Sequence, residues 1–131
     1  MIVFNASAAI EMLLRTLTGR RVEARVYSPS ESLLHASQLI DLEVAQVLRR
    51  NVAAATIASA CGKEALQDLR DLSLVRYPHE MLLERIWELR DNLTAYDAAY
   101  VALAEKIGAR LVTRDGRLAS ASGHTAAIEL F

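Results

Sequence analysis

Short apolar runs alternate along the chain with longer segments in which apolar residues recur at helical spacing. Such runs, bounded by polar or turn-forming residues, are typical of buried strands. The predicted strands are residues 2–4, 74–77, 109–113 and 126–131, with 33–35 as a shorter candidate. Strands are therefore expected along the whole length of the chain.

The segments between these runs repeat apolar residues every three or four positions, which predicts helices. The first helix is predicted over about 6–17, with Gly19 as its end. Ser37 is the predicted cap of a helix that runs to about residue 51. The other predicted helices are a short one within 20–28, one helix or a pair within 53–72 that weakens near Cys61-Gly62, one over 80–90, and one from Thr94 to Ile107 that Gly108 ends.

Alternation of strands and helices favours parallel pairing, in a sheet that helices cover on both faces. The expected fold class is therefore α/β with a mainly parallel central sheet. A length of 131 residues with 53% hydrophobic side chains fits one domain over residues 1–131. The same composition excludes a disordered chain, which would combine low hydrophobicity with high net charge.

Charge and cysteine content narrow the classes of function. The 15 Lys and Arg residues nearly cancel the 16 Asp and Glu residues, which argues against nucleic-acid binding through bulk positive charge. The single cysteine, Cys61, excludes an internal disulfide and a Cys-rich zinc site, and we interpret it as a small buried apolar residue. Neither a membrane-spanning apolar segment nor the positive region of a signal peptide is present, so the expected location is the cytoplasm.

Polar side chains follow two of the predicted strands. Asn5 comes directly after strand 2–4, and Asp115 lies two residues after strand 109–113. In an open parallel sheet, functional groups gather beyond the carboxyl ends of the strands. Both residues are therefore predicted at the same edge of the sheet.

Two further acids lie on apolar faces near the starts of predicted helices. Glu43 has Leu39 four residues before it and Val47 four residues after it, and Asp97 is placed in the same way within its own helix. An acid on an apolar face is costly unless something pairs with it. A metal ion shared by several acids would explain both positions.

Taken singly, each of these residues also has a purely structural interpretation. Asn is a common helix cap, Asp-Gly is a standard turn, and Thr-x-x-Asp is close to a capping box. These alternatives concern Asn5, the pair Asp115-Gly116, Asp97 after Thr94, and Glu43 paired with Arg49 or Arg50. The functional interpretation gains its force from the set.

Four stretches of the chain, in this order and spacing, resemble those of a PIN-domain ribonuclease, specifically a VapC-type toxin of a toxin–antitoxin pair. The Thr94–Tyr100 part is the most specific. The stretches read MIVFNASA at residues 1–8, DLEV at 41–44, LRDNLTAYDAAY at 89–100 and LVTRD at 111–115.

The resemblance implies a three-layer α/β/α sandwich with an acidic pocket that binds Mg²⁺ or Mn²⁺ and cleaves RNA. Glu43, Asp97 and Asp115 fall on the acidic positions of the family, and Ser7 and Thr113 fall near positions that support the pocket. It also implies a homodimer that a VapB-like antitoxin holds inactive. Apolar helices compatible with such partners contain Ile10, Leu13, Leu14 and Leu17, and Leu82, Leu83 and Ile86, whose other role is core packing.

One position departs from the family pattern. The family has Asp at the end of the first strand, where this chain has Asn5. An amide oxygen still ligates a hard cation but brings no negative charge, so the expectation is weaker metal binding. Asn5 is either an introduced substitution that silences a harmful nuclease or a natural feature of a weakened relative, and the otherwise regular sequence favours the first.

Three interpretations of function follow. The first is an endoribonuclease weakened by Asn5, with Arg90, Arg114 and Arg117 contacting RNA phosphates or, equally well, making surface ion pairs. The second is a non-catalytic PIN-fold module that binds RNA or an antitoxin. The third, a phosphate-transfer receiver domain, would have a Lys after its last strands, and residues 110–131 contain none.

Overall fold

A computed structural model of the chain describes residues 1–31 and 33–131. Within these residues, five parallel strands form one sheet in the order β3-β2-β1-β4-β5. The strands are β1 (Ile2–Phe4), β2 (Leu34–Ser37), β3 (Leu74–Tyr77), β4 (Arg110–Thr113) and β5 (Ile128–Leu130). The parallel sheet confirms the predicted strands, with the last two slightly shorter than expected and 33–35 shifted to begin at Leu34.

Helices cover both faces of this sheet, which confirms the three-layer α/β/α sandwich. They are α1 (Ala6–Leu13), α2 (Leu17–Val26), α3 (Ile40–Ala53), α4 (Ser59–Asp71), α5 (Leu83–Glu88), α6 (Ala95–Ile107) and α7 (Gly116–Ser120), with a 3-10 helix at Glu80–Leu82. Within the described residues, no helix is long and apolar enough to cross a membrane.

The core lies around β1 and α6. All three residues of β1 are fully buried, and α6 is buried over the whole stretch 98–104. Small alanines at four positions of that stretch let α6 approach the sheet closely. Thr94 caps α6 and Gly108, with φ of 65°, ends it in the left-handed conformation, as the sequence predicts.

The prediction of one helix over 6–17 ended by Gly19 is wrong. The chain turns at Arg15, which has φ of 56°, and Thr16 then caps a separate helix that contains Gly19. A Cβ placed on Gly19 would meet the Glu11 carbonyl oxygen, so this glycine permits α1 and α2 to cross in close contact. Leu17, predicted on the apolar face, is 83% exposed because it begins the second helix.

Three smaller predictions are also corrected. Ser37 ends β2 and is not the cap residue of α3; Leu39 holds that position, although its N–H group donates to Ser37 Oγ over 3.3 Å.

Cys61, predicted to be buried, is exposed. It lies on the outward side of α4, whereas its neighbour Gly62 faces Val52 of α3. The weak point predicted near Cys61-Gly62 is wrong, because both residues lie within α4. The helices break earlier, between the end of α3 at Ala53 and the start of α4 at Ser59.

Candidate metal centre

The sheet brings the ends of β1 and β4 together. Phe4 pairs with Val112, and the Asn5 N–H group continues the ladder by donating to the Val112 carbonyl over 3.0 Å. Ser7 Oγ and Thr113 Oγ1 lie 3.1 Å apart across this junction. Asn5 and Asp115, predicted at one edge of the sheet from strand counting, both lie at this junction, where each contacts Thr113 Oγ1.

Asn5 is held by its own oxygen. The side chain is 4% exposed, and Oδ1 accepts the Ser7 N–H over 3.0 Å and the Ser7 hydroxyl over 2.7 Å, with Thr113 Oγ1 at 3.4 Å. Because a backbone N–H only donates, the atom facing Ser7 must be the amide oxygen, which fixes the orientation of the amide. Among the described residues, Asn5 Nδ2 has no hydrogen-bond acceptor.

This arrangement changes what Asn5 offers to a cation. Its oxygen already serves as the cap of α1 and as the acceptor for two hydroxyls, so its lone pairs are occupied. A carboxylate at the same position would keep these bonds with one oxygen and leave the second oxygen available. The amide replaces that second oxygen with a hydrogen-bond donor.

Asp115 is both a helix cap and a site residue. Its Oδ1 accepts the N–H groups of Arg117 over 2.8 Å and Leu118 over 3.3 Å, and its own N–H donates to Thr113 Oγ1 over 3.0 Å. The structural alternative for Asp115-Gly116 is a turn; Asp115 instead caps α7, and this role uses one carboxylate oxygen only. No protein donor among the described residues contacts Oδ2.

Glu43 and Asp97 lie in the first turns of α3 and α6, where the positive ends of the helix dipoles favour negative side chains. Glu43 Oε1 accepts the hydroxyl of Tyr100 over 2.8 Å. Among the described residues neither Arg49 nor Arg50 lies within 4.0 Å of its carboxylate, so the alternative of an ion pair with these arginines is not observed. The Asp97 N–H donates to Thr94 Oγ1 over 3.2 Å, which is half of the predicted capping box.

The three carboxylates influence one another. Burial raises the pKa of Glu43, the Tyr100 hydroxyl opposes that shift, and the negative charge of Asp97 adds to it. Burial also raises the pKa of Asp97, with Thr94 opposing and the charge of Asp115 adding to the shift. Glu43, Asp97 and Asp115 therefore form one electrostatic group, which we call the edge acids.

The edge acids lack a positive partner in the part of the chain that the structure describes. Among the described side chains, no Lys, Arg or His nitrogen lies within 4.0 Å of any of their carboxylate oxygens. As they stand, no three His, Cys, Asp or Glu side chains in residues 1–31 and 33–131 lie close enough together to hold a metal ion. The donor set nevertheless fits a hard divalent cation, which prefers oxygen ligands and would offset the repulsion, provided that the side chains draw together.

The three arginines predicted near the site are placed differently from one another. Arg90 stacks over the Trp87 ring, with its guanidinium carbon 4.7 Å from the ring centroid. Arg114 is exposed, with Nε 3.9 Å from Glu11 Oε1. Arg117 is exposed on α7, two residues from Asp115. Arg114 and Arg117 thus flank the site, and Arg90 lies on the segment before α6.

Sequence reasoning missed Tyr100. Its ring is fully buried in α6, and burial raises the pKa of its hydroxyl far above the ordinary range, with the Glu43 charge adding to the shift. The group is therefore a hydrogen-bond donor at every working pH. A signal existed, because a tyrosine in an otherwise apolar helix face needs a hydrogen-bond partner.

Comparison with known proteins gives the same picture of the fold and of the family. The PIN domain family matches residues 2–123. Ribonuclease VapC9 of Mycobacterium tuberculosis is 47% identical over 118 residues, which cover 90% of this chain and 88% of that protein. Ribonuclease VapC12 of the same organism is 39% identical over 130 residues, which cover 99% of this chain and 98% of that protein.

Two solved structures share the fold. The chain is similar to Mycobacterium tuberculosis VapC20, a sarcin–ricin loop cleaving toxin, with a TM-score of 0.70 and 16% identity over 95% of this chain and 97% of the other. It is also similar to PAE2754 from Pyrobaculum aerophilum, with a TM-score of 0.73 and 22% identity over 97% of this chain and 81% of the other.

Proposed function

The chain belongs to the PIN domain family, and we propose that it is a metal-dependent endoribonuclease, the toxin of a toxin–antitoxin pair, weakened by Asn5. The observation that carries the proposal is the group of edge acids, which are held at the carboxyl end of the sheet without a positive partner among the described residues. The ribonuclease relatives support the reaction class. Hydrolysis of RNA phosphodiester bonds is the reaction that this chemistry suits.

Each edge acid has a defined part in the proposal. Glu43, Asp97 and Asp115 would hold Mg²⁺ or Mn²⁺, and the hydroxyls of Ser7 and Thr113 keep the Asn5 side chain in place beside them. A cation bound there would lower the pKa of a water molecule and stabilise the charge that develops on the phosphate. Without it, the same carboxylates repel the RNA backbone.

Substrate orientation is assigned to the arginines near the site. Arg114 and Arg117 are exposed beside Asp115, and Arg90 precedes the helix that carries Asp97. Phosphate contacts from such residues orient an RNA without specifying its sequence. The near-neutral net charge suits a local contact of this kind with a structured RNA.

The partners in this proposal are a VapB-like antitoxin, a second copy of the chain and the RNA substrate, in the cytoplasm. Of the apolar residues predicted to suit protein partners, Leu13 and Leu82 are core residues, whereas Leu17 and Leu83 are exposed. The exposed ones are the better candidates for contact with an antitoxin or a second copy. The buried ones stabilise the fold.

One observation favours the second candidate function, a PIN-fold module that binds RNA or antitoxin without cleavage. The Asn5 oxygen is occupied by Ser7 and Thr113, so the site has three carboxylates and no spare oxygen at the end of β1. Both candidates have Asn5, and they differ in whether the three remaining carboxylates suffice for cleavage.

Comparison of this chain with its Asn5→Asp variant tests the proposal. We expect Asn5→Asp to cleave RNA in Mg²⁺ at least about 100-fold faster than the parent, an effect of the size that one electrostatic group at a reacting centre commonly has. The control is Asn5→Asp with Asp97→Asn, which should return to the parent level. If Asn5→Asp folds but cleaves no RNA with Mg²⁺ or Mn²⁺, the enzyme proposal is wrong, and the binding module is then tested by direct binding of RNA to the same variant.

A further inference from the structure

Tyr100 places a single polar atom inside an apolar region. Its side chain is fully buried on α6, within the stretch 98–104, in which every residue is buried. A buried hydroxyl without a partner is costly, so its acceptor must be held in a fixed position. That acceptor is Glu43 Oε1, at 2.8 Å.

The bond joins two helices of the site. Glu43 lies on α3 and Tyr100 on α6, 57 positions apart in the chain. Tyr100 follows Asp97 by three residues, so the two side chains lie on the same side of α6. Tyr100 therefore fixes Glu43 relative to the helix that carries the neighbouring carboxylate.

The bond also decides which oxygen of Glu43 stays available. Oε1 is engaged by the hydroxyl, and Oε2 has no hydrogen-bond donor among the residues that the structure describes. A glutamate on its own samples several rotamers, and a partner that holds one oxygen selects the rotamers that present the other. Removal of a group that orients a metal ligand in this way commonly lowers metal affinity by about 10- to 100-fold.

We propose that Tyr100 is a positioning residue that holds Glu43 with Oε2 directed to a divalent cation bound by the edge acids. Tyr100 touches neither RNA nor the cation in this proposal and acts only through Glu43. The inference rests on the proposed metal site and adds a residue to it.

The test is a Mn²⁺ titration followed by the electron paramagnetic resonance signal of the free ion, on the full chain and on Tyr100→Phe. Phe keeps the ring and removes only the hydroxyl, and we expect Mn²⁺ binding to weaken at least about 10-fold. Tyr77→Phe is the matched control. The Tyr77 hydroxyl on β3 makes a bond of comparable length, 2.9 Å, to His35 Nδ1 on β2. Tyr77→Phe should bind Mn²⁺ as the parent does.

A second pair separates positioning from a general effect on folding. In a Glu43→Gln background, Tyr100→Phe should leave Mn²⁺ affinity unchanged, because the residue that it positions no longer offers a carboxylate. Equal Mn²⁺ affinity of the parent and Tyr100→Phe overturns the inference while the metal site stands. Equal losses with and without Glu43→Gln also overturn it. If the parent binds no Mn²⁺ at several millimolar, the proposed metal site fails, and this inference fails with it.

Discussion

Acidic side chains occupy two kinds of environment in this protein. Glu105 accepts the Arg85 guanidinium through two bonds of 2.8 and 3.0 Å and the Thr125 N–H over 2.8 Å. Glu129 accepts Arg25 through two bonds of 2.7 and 3.0 Å. The edge acids, by contrast, have no arginine or lysine within 4.0 Å among the described residues.

The pKa shifts of Glu105 and of two edge acids, Glu43 and Asp97, run in opposite directions. The Arg85 side chain holds the pKa of Glu105 below its ordinary value, whereas burial raises the pKa of Glu43 and Asp97. Ionised Glu105 therefore stabilises the fold, whereas ionised Glu43 and Asp97 reduce its stability. The chain contains arginines that pair with other acids, but among the described residues none pairs with an edge acid. Stability does not explain this arrangement, and this is the strongest physical argument for a bound cation.

Removal of a paired acid should have the largest effect on stability. Glu105→Ala deprives Arg85 and the Thr125 N–H of their acceptor, and we expect it to lower the free energy of unfolding by about 2 kcal/mol. Urea unfolding measures the change. The control is Glu64→Ala, whose exposed contact with Arg15 should contribute less than about 0.5 kcal/mol. Equal losses in the two variants would contradict the comparison.

Removal of an edge acid should change the free energy of unfolding in the opposite direction. Asp97→Asn relieves the cost of burying a charge beside Asp115, so we expect the metal-free protein to gain up to about 1 kcal/mol of unfolding free energy. The Asp97 backbone N–H bond to Thr94 does not depend on the carboxylate. A loss of more than about 1 kcal/mol in metal-free urea unfolding would show that Asp97 is a structural acid.

The pH dependence of these two variants sharpens the contrast. The raised pKa of Asp97 makes its charge destabilising above that pKa and harmless below the unfolded value of about 3.9. The gain of Asp97→Asn should therefore be constant above the raised pKa and shrink as the pH falls from there towards about 3.9. The lowered pKa of Glu105 keeps its contribution intact above about 4.3. The loss in Glu105→Ala should therefore stay constant to about pH 5 and shrink only in stronger acid. Unfolding free energies of both variants and the parent at each pH measure these changes, and parallel changes would contradict the account.

Much of the site could be predicted from the sequence because it depends on local rules. Asn5 and Asp115 follow apolar runs, and parallel strands bring their carboxyl ends to one edge, so their proximity needs no knowledge of strand order. Glu43 and Asp97 lie on apolar helical faces, which predicts partial burial. These inferences need only periodicity and spacing.

The parts that could not be predicted depend on contacts between distant residues. The bond between Tyr100 and Glu43 joins residues 57 positions apart, and nothing in the local pattern of either helix names the other. The engagement of the Asn5 oxygen by Ser7 and Thr113 requires the register of β1 with β4. The break between α1 and α2 was missed because apolar spacing continues through Leu14 and Leu17, while the close helix crossing at Gly19 is a tertiary contact.

Direct measurement of cation binding tests the central claim that the edge acids hold a divalent ion. Mn²⁺ should bind to the parent chain weakly, in the millimolar range or somewhat tighter, because Asn5 adds no charge to the three carboxylates. The Glu43→Gln, Asp97→Asn double variant, which keeps the shape of the site and removes two of the charges, should bind none in that range. Absence of Mn²⁺ binding to the parent at several millimolar, or equal binding to the double variant, would contradict the account.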